Sequence, residues 1–234
     1  MEKVTLISLR QAKQRRRGIS MLTAFDHPMA AILDSSGVDI VLVGDSLGNV
    51  ALGYKSTRSV TMADMVHHTK AVAKGVKRAL LVADLPYRSV SVKNARLLLR
   101  AGAQAVKIEG LKGVRQIVRA GIPVMGHLGY LPQTMKKPKV QRSGDLIEQA
   151  RELESAGVFA ITLEMVEPSL AAQITSAVRV PTIGIGSGKY CDGQVLVTYD
   201  LLGLSLWSPG FVRPKADLKN AAARAVKAFI RESN

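Results

Sequence analysis

The chain runs to 234 residues, 47% hydrophobic and 22% charged, a balance that excludes a disordered chain and leaves enough apolar side chains for a sizeable core. No apolar run approaches the roughly 18–20 residues of a membrane span, so no transmembrane segment is expected. The net charge of +15 favours anionic partners, yet aromatics make up only 4% and no aromatic-plus-basic module offers itself for base stacking, so a solvated basic surface is expected and nucleic acid is not.

In chain order, the basic stretch from Met1 to Gly18 carries Glu2 and leads straight into the first strand. That predicts a short helix capping the bottom of a barrel in preference to a transit peptide. An opening strand is expected near Ser20–Ala24. From there one grammar repeats: a helical stretch ends at a glycine, a short apolar strand follows, and the strand ends on a polar residue. Gly37 precedes Val38–Asp45, Gly75 precedes Arg78–Asp84, Gly102 precedes Ala105–Gly110, Gly121 precedes Ile122–His127, and Gly157 precedes Val158–Glu164. Each glycine suits the left-handed residue just past a helix C-terminus.

Strands at Pro181–Gly184 and Gln194–Thr198 bring the number to eight. Thr61-Met62-Ala63-Asp64 reads as a helix start running to about Lys74, Ser143 as the cap of a helix over Asp145–Ser155, and Ala216–Arg231 as a closing helix. Strands alternating with helices, and no Gly-rich dinucleotide fingerprint, predict an α/β fold: a (β/α)8 TIM barrel, one domain over residues 1–234 with a short N-terminal capping helix. The lone Cys191 excludes an internal disulfide framework and fits a structural thiol in a reducing compartment, the cytoplasm.

In such barrels the catalytic groups sit at the C-terminal ends of the strands. Those ends deliver Asp45, Asp84, Lys107 with Glu109, His127 and Glu164 to one rim. Lys107 and Glu109 are two apart on a strand and so share a face; a structural ion pair is the plain alternative to an active-site wall. Asp45, Asp84 and Glu109 would repel one another without a counter-ion, and an all-oxygen set favours a hard divalent cation, Mg²⁺ first. The plain alternative is that one or two of the aspartates merely cap helices. Lys107 and His127 offer a clamp for an anionic substrate such as a carboxylate, with Gly126 and Gly129 leaving room beside His127. Ser46 follows Asp45 and offers a hydroxyl or N–H to substrate, a turn role being equally open. Glu164 closes a strongly apolar strand, which suits a proton-abstracting base. His67 and His68 lie mid-helix and read as structural. The set points to enolate chemistry on a 2-oxo acid.

At this point the chain resembles a known family. Met21-Leu22-Thr23-Ala24-Phe25-Asp26, Leu42-Val43-Gly44-Asp45-Ser46-Leu47-Gly48, Val82-Ala83-Asp84-Leu85-Pro86, Val106-Lys107-Ile108-Glu109-Gly110, Gly126-His127-Leu128-Gly129 with Pro132-Gln133, and Ile183-Gly184-Ile185-Gly186 with Cys191-Asp192-Gly193-Gln194 are similar, in collinear order, to the ketopantoate hydroxymethyltransferases. The resemblance implies a Mg²⁺-dependent transferase of pantothenate biosynthesis. Such an enzyme removes the C3 proton of 3-methyl-2-oxobutanoate and adds that carbon to the one-carbon unit of 5,10-methylenetetrahydrofolate. By matching motif it implies Asp45 and Asp84 as metal ligands with Glu109 beside them. The oxo acid falls to Ser46, Lys107 and His127 together with Asp45 and Asp84, and Glu164 is the matching catalytic base. It further implies a homo-oligomer, as large as a decamer.

The chain departs from the family pattern in a shorter segment after Pro86, in Met135–Val140 where a Gly-Gly pair is usual, in a curtailed helix from Asp145, and in the C-terminus after Leu204. A degenerate, weakly active member is therefore one alternative. A carbon–carbon lyase or mutase of the phosphoenolpyruvate mutase and isocitrate lyase type is another, and a non-catalytic RNA-binding remnant a third. The lyase reading expects a reactive Cys near the middle strands, where this chain has none.

Overall fold

A computed structural model describes residues 2–143 and 145–233. In chain order the elements are α1 (Leu6–Gln14), β1 (Ile19–Thr23), α2 (His27–Ser35), β2 (Ile40–Val43), α3 (Leu47–Val50), α4 (Met62–Ala73), β3 (Leu80–Asp84), α5 (Val92–Arg100), β4 (Ala105–Glu109), α6 (Val114–Arg119), β5 (Val124–Gly129), α7 (Asp145–Ala156), β6 (Ala160–Glu164), α8 (Pro168–Ala177), β7 (Thr182–Ile185), β8 (Gly193–Leu196), α9 (Thr198–Leu201) and α10 (Leu218–Glu232). Every strand pairs in parallel with the next, and β8 closes on β1, forming the expected barrel.

Alternation along each strand builds two separate apolar layers. Ile19 and Met21, Ile40 and Leu42, Leu80 and Val82, Ala105, Met125, Ala160, Ile183 and Val195 fill the inside of the barrel. Val41, Val43, Leu81, Ala83, Val106, Ile108, Val124, Leu128, Ile161 and Leu163 point outward and meet the helices. Leu98 of α5, Ile117 of α6, Leu153 of α7 and Ile174 of α8 are buried from that other side. Each such leucine or isoleucine cut back to alanine would cost roughly 2–5 kcal/mol.

The bottom of the cylinder is closed by α1, as expected. Leu9 and Ala12 of this helix join the inner layer, and Thr5 and Ser8 form its capping box. Below Asp84, Lys107 and His127 lies the packed, mainly apolar inner layer. At the other end the strands open into loops.

The glycine expectation holds at Gly37, Gly102, Gly121 and Gly157, all at positive φ. It does not hold at Gly75, which is absent from that set. A Cβ there would lie 2.7 Å from the His27 carbonyl oxygen and 2.9 Å from Ala31 N, so close approach of α2 to the end of α4 is what excludes a side chain. The Thr61 capping box and the Ser143 contact to Asp145 N–H (3.4 Å) stand as read, and α5 opens at Val92, capped by Ser91, two residues before the Asn94 expected from the shortened segment after Pro86. Among the described residues no helix is long and apolar enough to cross a membrane.

Candidate active site

Interior alternation puts Asp84, Lys107, Glu109, His127 and Glu164 on the inner face at the open end, the ends of four adjacent strands. The register places Asp84 beside Lys107, Glu109 beside His127, and Gly129 beside Glu164. Gly129, at φ +97, is what brings β5 and β6 together there: a Cβ would sit 2.2 Å from the Glu164 carbonyl oxygen. The two glycines flanking His127 therefore do not open space beside its ring. Gly126 faces outward, under Leu153 of α7, and Gly129 serves the strand–strand approach.

Asp84 organises the floor. Its Oδ1 accepts from Lys107 Nζ at 2.6 Å and its Oδ2 accepts the Asp45 N–H at 3.1 Å. The second bond fixes the turn after β2, since Asp45 lies just beyond that strand rather than in it. Ser46 follows at the start of the four-residue α3, half-buried, with no capping bond from its hydroxyl. Burial works against the charge on Lys107, but Asp84, Asp45 and Glu109 outweigh it and raise its pKa above the ordinary lysine value. Lys107 is thus a permanent cation with N–H donors to spare.

The two remaining carboxylates are short of positive charge. Burial, reinforced by the charge on Asp84, pushes Asp45 up to about 7, against the opposing pull of Lys107 and a bond from Gln133. Burial and the charge on Asp45 push Glu109 up to about 9. His127 is 2% exposed, and burial lowers its pKa, so it is a neutral imidazole. Its Nδ1 lies 3.9 Å from Glu109 Oε1 and its Nε2 3.3 Å from Glu164 Oε2, yet neither nitrogen makes a properly aligned hydrogen bond. A buried polar group without an aligned partner costs about 1–3 kcal/mol, so both ring nitrogens are available to a ligand entering between the two carboxylates. Glu164 keeps 19% of its side chain exposed, so it stands at the mouth and is less enclosed than its apolar strand implies.

Three carboxylates facing one ammonium leave room for a divalent cation, and hard oxygen donors suit Mg²⁺. Among the described residues, however, no three His, Cys, Asp or Glu side chains stand as a ready-made metal cage. Lys107 already occupies one oxygen of Asp84, and Gln133 one oxygen each of Asp45 and Glu109. The donor set fits a cation held by a few protein oxygens with open positions for other ligands, not a closed cage.

Three neighbours of the site escaped the sequence reading. Gln133 is buried and donates to Asp45 Oδ2 at 2.8 Å and, through its backbone N–H, to Glu109 Oε2 at 3.1 Å. Arg58 grips the loop that carries it. Tyr130 bonds through its N–H to the Glu164 carbonyl at 2.7 Å. Only Gln133 had a signal, as part of a Pro132-Gln133 motif without an assigned task. His68 is structural as expected, its Nδ1 lying 2.6 Å from the Phe25 carbonyl oxygen. Cys191 is packed against the backbone of Gly184, and burial raises its pKa.

A family model described as ketopantoate hydroxymethyltransferase matches residues 3–234. The 3-methyl-2-oxobutanoate hydroxymethyltransferase of Acetivibrio thermocellus is 48% identical, with 99% of this chain and 89% of that protein covered. Those of Thermoanaerobacter sp. strain X514 and Ignicoccus hospitalis are each 46% identical over 99% of this chain, covering 92% and 95% of their own lengths. These alignments span 250–251 positions, more than the 234 residues here, so this chain lacks internal segments that its relatives carry. In structure the chain is similar to a phosphonopyruvate hydrolase solved with oxalate and Mg²⁺ (TM-score 0.67, 14% identity, 98% of this chain and 88% of that one). It is similar too to a phosphonomutase-like protein from Burkholderia cenocepacia J2315 (TM-score 0.66, 13% identity, 98% of both chains). At such identity those two show the shared barrel alone.

Proposed function

The chain belongs to the ketopantoate hydroxymethyltransferase family, and from that premise we propose that it transfers a hydroxymethyl group from 5,10-methylenetetrahydrofolate to 3-methyl-2-oxobutanoate. The observation that carries the reading is the unpaired His127 imidazole, held between Glu109 and Glu164 above a buried Asp84–Lys107 pair. Around it the carboxylates outnumber the ammonium, an imbalance that a divalent cation carrying an oxygen-rich ligand would relieve. The reading assigns Asp45 and Asp84, with Glu109 beside them, to hold Mg²⁺. Bound there, the cation supplies Lewis-acid polarisation of the keto oxygen.

The chain's own residues do the rest. Lys107 balances the oxo-acid carboxylate with its free N–H donors, His127 offers a ring nitrogen to the substrate, and Ser46 supplies a hydroxyl. Glu164, at the mouth, takes the C3 proton, and the electron pair delocalises toward the keto oxygen. Water adds to the one-carbon unit as its bonds to the two folate nitrogens break, C3 bonds to the freed carbon, and the oxygen on that carbon takes up a proton, giving 2-dehydropantoate and tetrahydrofolate. Support for a flat, anionic co-substrate comes from the rim, where the Arg58 and Arg88 guanidiniums lie 5.7 and 5.0 Å from the centre of the half-buried Tyr87 ring.

The direct test is NMR of deuterium exchange at C3 of 3-methyl-2-oxobutanoate. Exchange is expected with Mg²⁺ and its loss, by at least a hundredfold, in Glu164→Gln. A wild-type protein that shows neither exchange nor product with methylenetetrahydrofolate present sinks the assignment, the weakly active variant of it included. We also place the protein in the cytoplasm as one barrel domain over residues 1–234, assembled as a homo-oligomer. Exposed Val226 and Phe229 on α10 support the assembly. Sedimentation as a monomer alone would remove it.

A further inference from the structure

The segment between β5 and α7 is tied to the site more firmly than a lid has to be. Leu131 accepts N–H bonds from Thr134 (3.0 Å) and Met135 (2.8 Å), so residues 131–135 form one tight turn. Arg58, on the 3₁₀ turn Thr57–Ser59 of the β2–α4 connection, donates from Nε to the Gln133 carbonyl (2.8 Å) and from Nη2 to the Thr134 carbonyl (2.7 Å). The guanidinium fork thereby fixes a turn that begins some 75 residues further along the chain. From that turn Gln133 reaches down. Its side-chain amide donates to Asp45 Oδ2 (2.8 Å) and to the Leu85 carbonyl (3.1 Å), while its backbone N–H donates to Glu109 Oε2 (3.1 Å).

We propose that Gln133, clamped by Arg58, is a positioning residue for the cation site: it orients Asp45 and Glu109 so that each presents its other oxygen to the bound ion. One donor on one oxygen of a carboxylate sets its plane and leaves the second oxygen free of bonds from that loop. An amide does this without adding a charge; a lysine in the same place would compete with the cation. The arrangement joins the ends of β2 and β4, which are not neighbours in the barrel, through one side chain and its own backbone. Outer partners of this kind change metal affinity by about 10–100-fold when removed.

The inference rests on the functional reading above, and its test is separate from turnover. The probe is Mn²⁺, with free ion read by electron paramagnetic resonance and folding by circular dichroism. Gln133→Met keeps the bulk and removes the donor, and a 10–100-fold loss of Mn²⁺ affinity is expected. Arg58→Ala should lose affinity less, Arg58→Lys less again because an ammonium lacks the fork. In the double variant Arg58→Ala should add under threefold to the Gln133→Met loss, since both act through one contact. A folded Gln133→Met that binds Mn²⁺ within twofold of wild type overturns the inference, as do single effects that multiply in full. If Gln133→Met does not fold, Arg58→Ala decides alone, since Arg58 sits at the rim: unchanged affinity there overturns it equally. A wild type that binds no Mn²⁺ sinks the functional reading itself, a result distinct from either.

Discussion

Asp39 and Asp45 flank one strand, β2, and the fold treats them in opposite ways. Below the strand, Asp39 takes a fork from Arg17 (3.1 and 3.2 Å), the Ser20 N–H (2.9 Å) and the Ser20 hydroxyl (3.0 Å). Burial opposes its charge, but these partners win and hold its pKa below the usual carboxylate value. Asp192, at the same end, is met by Lys13 (2.9 Å) and by the Thr182 N–H (2.8 Å) and hydroxyl (3.1 Å). Above the strand, Asp45 shares one cation with Asp84 and Glu109 and rises to about 7. The difference marks off the candidate site: the bottom satisfies its buried charges with protein, and the top leaves Asp45 and Glu109 short of positive charge.

The largest test sets one ion pair against the other. Lys107→Met strips the only ammonium from three buried carboxylates and should cost about 3–5 kcal/mol at pH 8, with C3 exchange abolished. The cost should shrink at pH 5, where the carboxylates escape repulsion by taking up protons. Lys13→Met removes a partner from a pair 16% and 15% exposed, and Thr182 keeps its bonds to Asp192. That variant should lose about 1–3 kcal/mol and keep its exchange rate. Chemical denaturation and NMR exchange read both. If Lys13→Met abolished exchange while Lys107→Met retained it, the contrast between the two ends would be wrong.

A smaller effect should appear in the pH dependence of stability. Asp45 and Glu109 have folded pKa values raised to about 7 and about 9. Between the unfolded carboxylate range and those values the folded protein binds more protons than the unfolded chain, so stability falls as pH rises through that window. Asp39 is lowered instead, so its contribution is present above the unfolded value and is lost as pH falls through the folded one. Metal-free protein should thus melt lower at pH 9 than at pH 6, by on the order of 5 °C. Asp45→Asn should flatten that slope and Asp39→Asn should leave it untouched while removing part of the acid limb. Saturating Mg²⁺ should flatten it as well. A metal-free melting temperature that rises steadily from pH 6 to 9 would contradict the crowding at the top.

Strand ends were the legible part of the candidate site. Lys107 and Glu109 betray themselves because full charges interrupt an apolar two-residue period, and the barrel then forces Asp84, His127 and Glu164 to the same mouth. The capping helix was legible too, as a basic stretch carrying Glu2 and running straight into the first strand, and its Leu9 and Ala12 are buried on the inner layer. Gln133 and Arg58 were not, because each acts from a loop, and no periodicity fixes where a loop's amide or guanidinium lands. Gly126 misled for a related reason: the sequence shows a missing side chain but not which face it is missing from. Only strand parity, with Met125 and His127 inward, shows that Gly126 makes way for Leu153 outside the barrel.

The smallest effect asks whether position or pairing separates the two kinds of acid. Asp64 lies at the start of α4, the helix that the β2 connection feeds from the open end. It is nonetheless tied into its own helix start: Oδ2 accepts the Thr61 N–H at 2.9 Å and the Thr61 hydroxyl at 2.8 Å, and the Asp64 N–H returns to Thr61 Oγ1 at 3.2 Å. If lying near the open end were enough to make a carboxylate functional, Asp64 would count with Asp45. If lack of partners is what matters, Asp64 is a helix cap and nothing more. Thr61→Ala should therefore cost about 1 kcal/mol, the usual loss for an N-cap, and lower the melting temperature by about 2–4 °C. Its C3 exchange rate and Mn²⁺ affinity should stay within twofold of wild type. A loss of Mn²⁺ affinity in this variant would mean that the top of the barrel is one coupled network, and that pairing alone does not mark which acids do the chemistry.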